Sequence, residues 1–537
     1  MRNKVIILGL DGGTWELLGP LAHKGIMPNL MYILKHGVYA KLKSTIPPLS
    51  APAWLSLATG RSPGKTGVVD FLTKRAAHKK SLHPISSAYY KSKSLWDYTS
   101  IFGIYTGVLY YPCLYPPYPI KGFMISGVGS PTEDDSAFYP RSLYHEVMEV
   151  IGRNVRIHIP YRKYVDAKKL MLDIIKYIDD YYKILLHLMN TKPWDLFIAV
   201  FPCTDWLQHV FWRNMEYILL RRDNENEIVN ESIINRLILY FWKKLDERLG
   251  KIVSNVRKYK GILIIVSDHG FGPLKGVFNI PRYLESRGYM RLKLYWKIYY
   301  ALQSLYIGTL KVIKRKNYNN RIAKIFNICT KDIPFKLVID FRRSKIYTLG
   351  HSWSCGGLYV NRNLVKSVNE LNVMIKFLLR DIADILGENN IKICNANDLY
   401  HGDKVYLLPD LLIDLDNYSY LTIENLNFQF IVRKTSTFKK ITGSHRPDGI
   451  FIAYGTDIDE GRSIGDVSIY DVMPTVMHIL GIPIPRDVDG RIIFEIFDKN
   501  SYYLKRKPRY VTQLFYKVRM KVLLRNNYRN SYYSSRF

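Results

Sequence analysis

The chain has 537 residues, a hydrophobic content of 47% and a formal net charge of +32. This length allows more than one domain, and the hydrophobic content is ordinary for a globular protein. The longest apolar runs, such as Val5 to Leu10 and Ile262 to Val266, fall far below the roughly 18 residues that cross a bilayer. The apolar run behind the basic start is also too short for a signal peptide. Composition therefore argues against a membrane-spanning protein and predicts a cytoplasmic address.

The number and spacing of the cysteines limit the types of metal site that the chain can form. The cysteines are odd in number, far apart and without a Cys-x-x-Cys pair: Cys113, Cys203, Cys329, Cys355 and Cys394. This pattern argues against a disulfide framework and against a thiolate zinc site. Any metal is therefore expected on Asp, His and hydroxyl ligands.

The positive charge is concentrated in two segments. Residues 291–345 contain fourteen Lys or Arg and two Asp, and residues 501–537 contain ten Lys or Arg and no acid. We interpret the first segment as a basic helical insertion or cap, and residues 1–290 and 345–500 as a discontinuous catalytic domain. The basic residues among aromatic ones would also suit an anionic lipid surface or nucleic acid, and nucleic acid is the less favoured partner.

The segment 501–537 is predicted to form a basic amphipathic helix. Apolar residues recur at helical spacing with Lys and Arg between them: Val511, Leu514, Phe515, Val518 and Val522. Such a helix either lies on an anionic membrane as a peripheral contact or docks onto its own protein. Docking is the favoured alternative.

The first predicted strand, Val5 to Leu10, runs directly into Asp11-Gly-Gly, where the glycines permit a tight turn. An Asp at the carboxyl end of the first strand of an α/β sheet is well placed to bind a ligand or a metal. Asp11 is therefore a candidate metal ligand, with turn capping as the alternative.

Ser50 stands where a loop is predicted to become a helix, within Pro47 to Gly60. Pro52 suits the first helical turn. A hydroxyl at this place faces the positive end of the helix dipole, which attracts an anionic phosphoryl group. Ser50 is therefore the candidate nucleophile, and the alternative is a plain N-cap.

The segment from Gly60 to Thr66 resembles a nucleotide-binding P-loop without meeting its spacing. Three residues separate Gly60 from the Gly64-Lys pair, whereas the motif requires four. The segment also follows a predicted helix and not a strand. An NTPase is therefore not indicated.

A second apolar strand ends at Phe201 and leads to Asp205 and His209. On a helix these two residues are one turn apart on one face, so both can bind a single cation. A surface pair of polar residues is the alternative. Between such strands the chain shows helical patterns, which together indicate a βαβ rhythm.

A third apolar strand, Gly261 to Val266, delivers the adjacent pair Asp268 and His269 to its carboxyl end. Adjacent side chains point in different directions, so the pair can address two neighbouring metal ions. His445 lies in a predicted glycine-bracketed loop, Gly443 to Gly449, and can supply a neutral imidazole to a metal.

The ordered set of these residues resembles the alkaline phosphatase superfamily, and within it the type I phosphodiesterase/nucleotide pyrophosphatase branch. The set is Asp11, Ser50, Asp205 with His209, Asp268 with His269, and His445. The resemblance covers roughly residues 1–290 and 345–495. It implies an α/β fold, a three-layer αβα sandwich with a mostly parallel central sheet and the basic helical cap as an insertion.

The resemblance also implies two divalent metal ions, usually zinc, with manganese as an alternative. One would be held by Asp205, His209 and His445. The other would be held by Asp11, Asp268 and His269 with the hydroxyl of Ser50. Ser50 would attack phosphorus and form a phosphoseryl enzyme, which water then hydrolyses.

Two departures from the family pattern affect the expected substrate. Ser50 stands where the nucleotide pyrophosphatases often have Thr, and Phe71 stands where they have an Asn that helps to hold the phosphoryl oxygen. The sequence thus predicts a metal-dependent phosphoric-ester hydrolase that prefers phosphodiester or pyrophosphate substrates, such as small nucleotides or other diesters, over monoesters. A phosphomonoesterase, a phosphoglycerate-mutase-like phosphotransferase and a lipid-headgroup transferase stay open, as does a non-catalytic protein that binds nucleic acid or membrane.

Overall fold

The computed structural model describes residues 4–76, 78–220, 232–298, 335–351, 356–426, 428, 430–435 and 441–522. The chain divides into two compact units. The first unit consists of Met1–Thr66, Ile85–Leu274 and Lys439–Phe537, and the second of Gly67–Pro84 and Lys275–Phe438. The predicted domain boundaries at residues 290, 345 and 500 stay predictions. The predicted helical cap lies largely outside the described residues and stays a prediction.

The first unit is built on one large sheet, which has ten strands among the described residues. Its centre is parallel, and the long strand Asp448–Gly455 runs antiparallel to both of its neighbours. The prediction of a mostly parallel sheet is confirmed. The order across the sheet is Arg462–Ser463, Gly37–Lys43, Asp448–Gly455, Ile262–Val266, Val5–Leu10, Leu196–Phe201, Thr106–Tyr111, Gly122–Ser126 and Phe138–Tyr139, with Val467–Ser468 beside Gly37–Lys43.

The central strands are buried along their whole length because helices cover both faces of the sheet. One face packs against the helices Trp15–His23, Pro28–Lys35, Leu143–Ile151, Ala167–Thr191, Cys203–Leu220 and Ile233–Lys258. On the other face, Ser50–Thr59 and Leu95–Ile101 lie against the strands, and Val472–Leu480 packs against Ser50–Thr59. The first unit is therefore the three-layer αβα sandwich that the sequence predicts.

Parallel register brings the predicted site residues to one edge of the sheet. Leu10 is paired with Phe201, and the preceding Gly9 is paired with Val266. The three strands therefore end side by side, and the segments that carry Asp11, Asp205 and Asp268 begin at the same edge.

Smaller elements complete the first unit. Residues 443–446, predicted as part of a loop, form the strand Gly443–Arg446, which pairs antiparallel with Gly270–Pro273. The prediction of a loop there is wrong because this pairing holds the glycine-bracketed segment extended. The other elements are the helices Pro63–Thr66 and Tyr502–Lys505, and the 3-10 turns Ser87–Tyr89, Asp135–Ala137, Tyr161–Lys163, Ile469–Asp471 and Phe494–Ile496.

The described part of the C-terminal tail docks onto the first unit. Its strand Tyr510–Val511 runs parallel to Ile484–Pro485, and residues 513–522 are helical. Tyr516 is buried, donates a hydrogen bond to the Pro483 carbonyl and has its ring centroid 4.3 Å from that of Tyr98. The docking alternative is thus observed, but the prediction of one helix is wrong at Val511, which lies in a strand because it pairs with Pro485. Residues 523–537 lie outside the described range.

The second unit has its own core around two small sheets. One contains Ile346–Tyr347, Gly357–Val360, Leu411–Leu415 and Ile391–Asn395, and the other Tyr420–Ile423, Gly276–Asn279 and Val432–Lys434. Leu72–Thr73 pairs with His83–Pro84. The helices are Ile280–Ser286, Phe335–Val338, Val368–Leu386 and Ala396–Leu399, with a 3-10 turn at Val405–Leu407. Within the described ranges of the chain, no helix is long and apolar enough to span a bilayer.

Candidate active site

Ser50 is the first residue of the helix Ser50–Thr59, and the N-cap position belongs to the extended Leu49. The alternative of Ser50 as a plain N-cap is therefore wrong. The Ser50 hydroxyl lies 3.4 Å from Asp11 Oδ1 and 3.3 Å from His269 Nε2. It stands at the positive end of the helix, where an anionic group is favoured, and beside two other polar groups.

Asp11 is oriented by a tryptophan from the same helix that carries Ser50. The indole of Trp54 donates a hydrogen bond of 3.1 Å to Asp11 Oδ2, which leaves Oδ1 to face Ser50. The Trp54 ring lies so close to the first strand that a Cβ at Gly9 would be 2.3 Å from a ring carbon. The sequence pattern does not reveal this role of Trp54; the glycine within a buried strand is the signal that marks this close approach.

Asp205, His209 and His445 form the first set of donor atoms. Asp205 Oδ1 lies 3.3 Å from His209 Nε2 and 3.3 Å from His445 Nε2, and the two imidazole nitrogens are 3.1 Å apart. Ligands about 2.0 Å from a tetrahedral zinc ion are ~3.3 Å from one another. Asp205 Oδ1 is buried and accepts no hydrogen bond from any described residue. These three residues therefore fit a metal ion.

Asp11, Ser50, Asp268 and His269 form the second set. His269 Nε2 lies 3.2 Å from Asp268 Oδ2 and 3.7 Å from Asp11 Oδ1. Asp268 Oδ1 accepts a hydrogen bond from the Gly12 amide, whereas Oδ2 accepts none within the described part of the chain. Donor atoms of Asp11, Asp205 and His269 also lie within 4.8 Å of one another, so the two sets are adjacent.

The three histidines share one hydrogen-bond arrangement. Each Nδ1 lies close to a backbone carbonyl: His209 to Gly443 at 3.2 Å, His445 to Pro48 at 2.9 Å, and His269 to Gly270 at 3.0 Å. A carbonyl oxygen can only accept, so each Nδ1 carries the hydrogen and each Nε2 keeps its lone pair. Metal-ligating histidines are oriented in this way.

Burial disfavours the charged forms of four site residues, and Asp205 is the exception. Burial, with the nearby Asp268 and Asp205, raises the pKa of Asp11, and burial raises the pKa of Asp268 to about 7. Burial lowers the pKa of His209 to about 3 and that of His269 well below its usual value. Burial alone would raise the pKa of Asp205, but His209 and the other imidazoles outweigh burial and lower this pKa.

No lysine or arginine among the described residues forms an ion pair with Asp11, Asp205 or Asp268. Buried carboxylates are normally paired with cationic side chains or bound to metals. The site therefore presents carboxylates whose charge the protein itself leaves uncompensated, as a cation-binding site would.

A cationic aromatic rim borders the first donor set, formed by His158, Tyr161 and Arg162. The Tyr161 ring stacks on His209 at 5.5 Å between centroids. Arg162 lies 5.4 Å from the Tyr161 ring centroid and donates a hydrogen bond of 3.2 Å to its hydroxyl. The His158 ring packs edge-on against Trp206. The rim was not predicted from the sequence, where its local signal is the short basic and aromatic run after Pro160.

Asp70 and Phe71 belong to the second unit, in a separate buried cluster. The Phe71 amide donates to Asp70 Oδ1 at 2.7 Å, and His351 Nδ1 lies 3.2 Å from Asp70 Oδ2. The Tyr359 hydroxyl is 2.8 Å from His351 Nε2, and the amides of Gly350 and His351 donate to Glu424 Oε2. Both ring nitrogens of this histidine are therefore occupied.

The chain is similar to known proteins in sequence and in fold. The chain matches the type I phosphodiesterase/nucleotide pyrophosphatase family over residues 5–339. Human ectonucleotide pyrophosphatase/phosphodiesterase 5 is 14% identical with a TM-score of 0.49, covering 93% of this chain and 100% of its own. Its murine counterpart, an inactive variant in complex with AMP, is 12% identical with the same score and coverage. The comparison with curated protein sequences gives no match.

A buried hydroxyl lies beside convergent carboxylates and imidazoles at the carboxyl ends of the strands, where α/β sheets bind their ligands. The family match spans more than half of the chain. The chain therefore belongs to the type I phosphodiesterase/nucleotide pyrophosphatase family, and it is a phosphodiester hydrolase of the alkaline phosphatase superfamily. His445 lies beyond the matched range and is brought to the site by its strand.

Proposed function

We propose that Ser50 is the nucleophile of a two-metal phosphodiesterase that works through a phosphoseryl intermediate. The observation that carries this proposal is the convergence of seven side chains on one buried point, with all three imidazoles presenting Nε2 lone pairs. Ser50 lies among the donor atoms, 3.4 Å from Asp11 Oδ1. A serine with a purely structural role would not need to lie beside both a carboxylate and an imidazole.

The metals are proposed as zinc, with manganese as the alternative. Asp205, His209 and His445 would hold one ion, since nitrogen ligands in a tetrahedral arrangement suit zinc. Asp11, Asp268, His269 and the Ser50 hydroxyl would hold the other. When bound, the two ions lower the pKa of the serine hydroxyl and neutralise charge on the phosphoryl oxygens.

The reaction then has two steps at phosphorus. A bond forms between Ser50 Oγ and phosphorus while the bond to the leaving oxygen breaks. The hydroxyl proton, which is hydrogen-bonded to Asp11 Oδ1 before the attack, passes to the leaving oxygen, which departs with it. In the second step water supplies an OH group to phosphorus and a proton to Ser50 Oγ, which restores the enzyme. The helix N-terminus behind Ser50 favours the anion throughout.

The substrate is proposed as a diester or pyrophosphate of a small molecule such as a nucleotide. The family is named for these two activities. Beside the first donor set, Tyr161 offers a flat ring and Arg162 a positive charge. A second ester group or phosphate attached to the reacting phosphorus would meet that rim, whereas a monoester has no such group.

The test is hydrolysis of bis-p-nitrophenyl phosphate and p-nitrophenyl phosphate by the zinc-loaded full chain. We expect faster cleavage of the diester, and loss of turnover by at least a thousandfold in Ser50→Ala. Acid-quenched wild-type enzyme should carry a phosphoryl adduct on Ser50 by mass spectrometry. The matched control is Ser56→Ala, since Ser56 is buried in the same helix and its hydroxyl has no hydrogen-bond partner in the described structure.

Each result bears on a separate part of the proposal. Retained turnover in Ser50→Ala would overturn its role as nucleophile. Faster cleavage of the monoester would overturn the diester preference while leaving the nucleophile in place. Equal losses in Ser50→Ala and Ser56→Ala would attribute the effect to the helix and not to the hydroxyl.

A further inference from the structure

The helical residues 513–522 of the tail have one face fixed to the first unit. Tyr516 is buried in that face, and Gln513 donates hydrogen bonds to the Tyr98 hydroxyl at 2.8 Å and to Asp487 Oδ1 at 3.0 Å. Arg519 lies 4.3 Å from the Phe102 ring centroid. The helix is therefore held in a defined orientation and its opposite face is turned outward.

The outward face carries aliphatic side chains in a single stripe. Leu514, Val518 and Val522 are 67%, 53% and 51% exposed. Their spacing of four residues places them one above the next along the helix. Three aliphatic side chains that adjoin on one helix face are usually buried in a globular domain. This exposed stripe therefore marks an interaction surface.

Lysines lie along one side of this stripe. Lys517 and Lys521 are exposed on the same ten-residue helix, and at 100° per residue both fall within one quarter turn of Leu514. Their long aliphatic stems allow the ammonium groups to extend past an apolar surface while the stripe stays in contact with it. Over residues 501–537 the sequence has ten Lys or Arg and no acid.

We propose that this outward face, formed by Leu514, Lys517, Val518, Lys521 and Val522, binds the surface of an anionic phospholipid bilayer. Aliphatic residues flanked by lysines match the acyl boundary and the anionic headgroups of such a surface. None of these five side chains is aromatic, whereas nucleotide bases stack on aromatic rings. A second copy of the face would bring like charges together, which disfavours self-association.

The consequence is a membrane-held enzyme whose catalytic unit is fixed to its anchor. Because the helix docks through Tyr516 and Gln513, binding by the opposite face would orient the first unit at the bilayer instead of tethering it loosely. This inference is independent of the proposed nucleophile and metals.

The experiment is co-sedimentation of the full chain with vesicles of phosphatidylcholine containing 30% phosphatidylserine, and with phosphatidylcholine alone. We expect binding to the anionic vesicles that weakens at least tenfold from low to high salt and at least tenfold in Val518→Asp. The matched control is Val373→Asp, at a valine of equal exposure, 53%, on the helix Val368–Leu386. This control should bind as the wild type does.

The alternative occupants give different results. Equal binding to neutral vesicles, or binding unchanged in Val518→Asp, would overturn the proposal. Dimers in gel filtration that dissociate in Val518→Asp would assign the face to a second copy, and binding to single-stranded DNA lost in that variant would assign it to nucleic acid. Melting temperature and hydrolysis of a soluble diester should stay unchanged in Val518→Asp, which excludes misfolding.

Discussion

Each unit of this protein contains a buried cluster of acidic and histidine side chains, and the two clusters differ in where their hydrogen bonds end. In the first unit, each of the three histidines gives Nδ1 to a backbone carbonyl and leaves Nε2 facing carboxylates or another imidazole. In the second unit, His351 has Asp70 at Nδ1 and the Tyr359 hydroxyl at Nε2. The same residue types therefore produce one open set of donors and one closed network.

The two clusters also differ in whether a cationic side chain of the protein lies beside them. Lys74 lies 4.1 Å from the Tyr359 ring centroid, so the second cluster has a cation supplied by the chain itself. The first cluster has carboxylates with no lysine or arginine paired to them among the described residues. An Asp and a His in contact thus do not define a metal site; lone pairs left without hydrogens do.

The largest expected effect comes from His209→Ala. The first donor set loses one of its three side chains, so activity toward a diester should fall by at least a thousandfold, about 4 kcal/mol of transition-state stabilisation. Elemental analysis should show metal content falling from two ions per chain to one. His351→Ala is the matched control and should keep both ions; a loss of metal there would remove the distinction between the clusters.

The next effect is on stability and comes from His351→Ala. The substitution removes the hydrogen bonds to Asp70 and Tyr359 and leaves a cavity, so the free energy of unfolding should fall by about 2–4 kcal/mol. Urea unfolding followed by tryptophan fluorescence measures it. Tyr359→Phe removes only the hydroxyl and should cost about 1 kcal/mol. An unchanged unfolding midpoint in both variants would contradict a structural network.

A smaller effect is expected at the rim of the open cluster, in Arg162→Ala. The KM for a dinucleoside pyrophosphate should rise about tenfold, or about 1.4 kcal/mol, because a positive charge near the second phosphate is lost. The kcat should stay close to the wild-type value. Arg156→Ala is the control, since Arg156 is half exposed and pairs with Asp173 at 3.8 Å. Equal changes in both variants would indicate a general charge effect.

The smallest effect is expected in Lys74→Met. Burial lowers the pKa of Lys74 in the folded protein to about 8. The folded state therefore loses stability as the pH falls from the pKa of Lys74 in the unfolded chain to its pKa in the folded protein. Removing the ammonium group should therefore stabilise the protein at pH 7 by about 1 kcal/mol, after allowance for solvent screening and the cation–π contact. The gain should fade as the pH rises from about 8 to 10.5. A gain that stays constant over this range would point to packing instead.

Much of the first unit could be predicted because its signals are local. The apolar runs ending at Leu10, Phe201 and Val266 are followed at once by polar residues, and parallel pairing places those ends at one edge. The helical spacing of Asp205 and His209 was also visible in the chain. These features need only the period of a strand or helix.

The remaining features depend on contacts between distant parts of the chain. Residues 443–446 were predicted as a loop from their glycines and form a strand because Gly270–Pro273 pairs with them. The second unit joins residues 67–84 to residues 275–438, a division that no composition change marks. The carbonyl groups that orient His209 and His445 come from Gly443 and Pro48, far away in sequence.

The close approach of Trp54 to Gly9 has a consequence for any survey of tolerated substitutions. A side chain at residue 9 would meet the indole at 2.3 Å and act as a wedge between the sheet and the helix that begins at Ser50. Such a variant would lose activity although none of the seven site side chains has been substituted. In a saturation mutagenesis map, Gly9 should therefore score with the catalytic residues although it offers no chemistry, and rescue by a smaller residue at position 54 would reveal the difference.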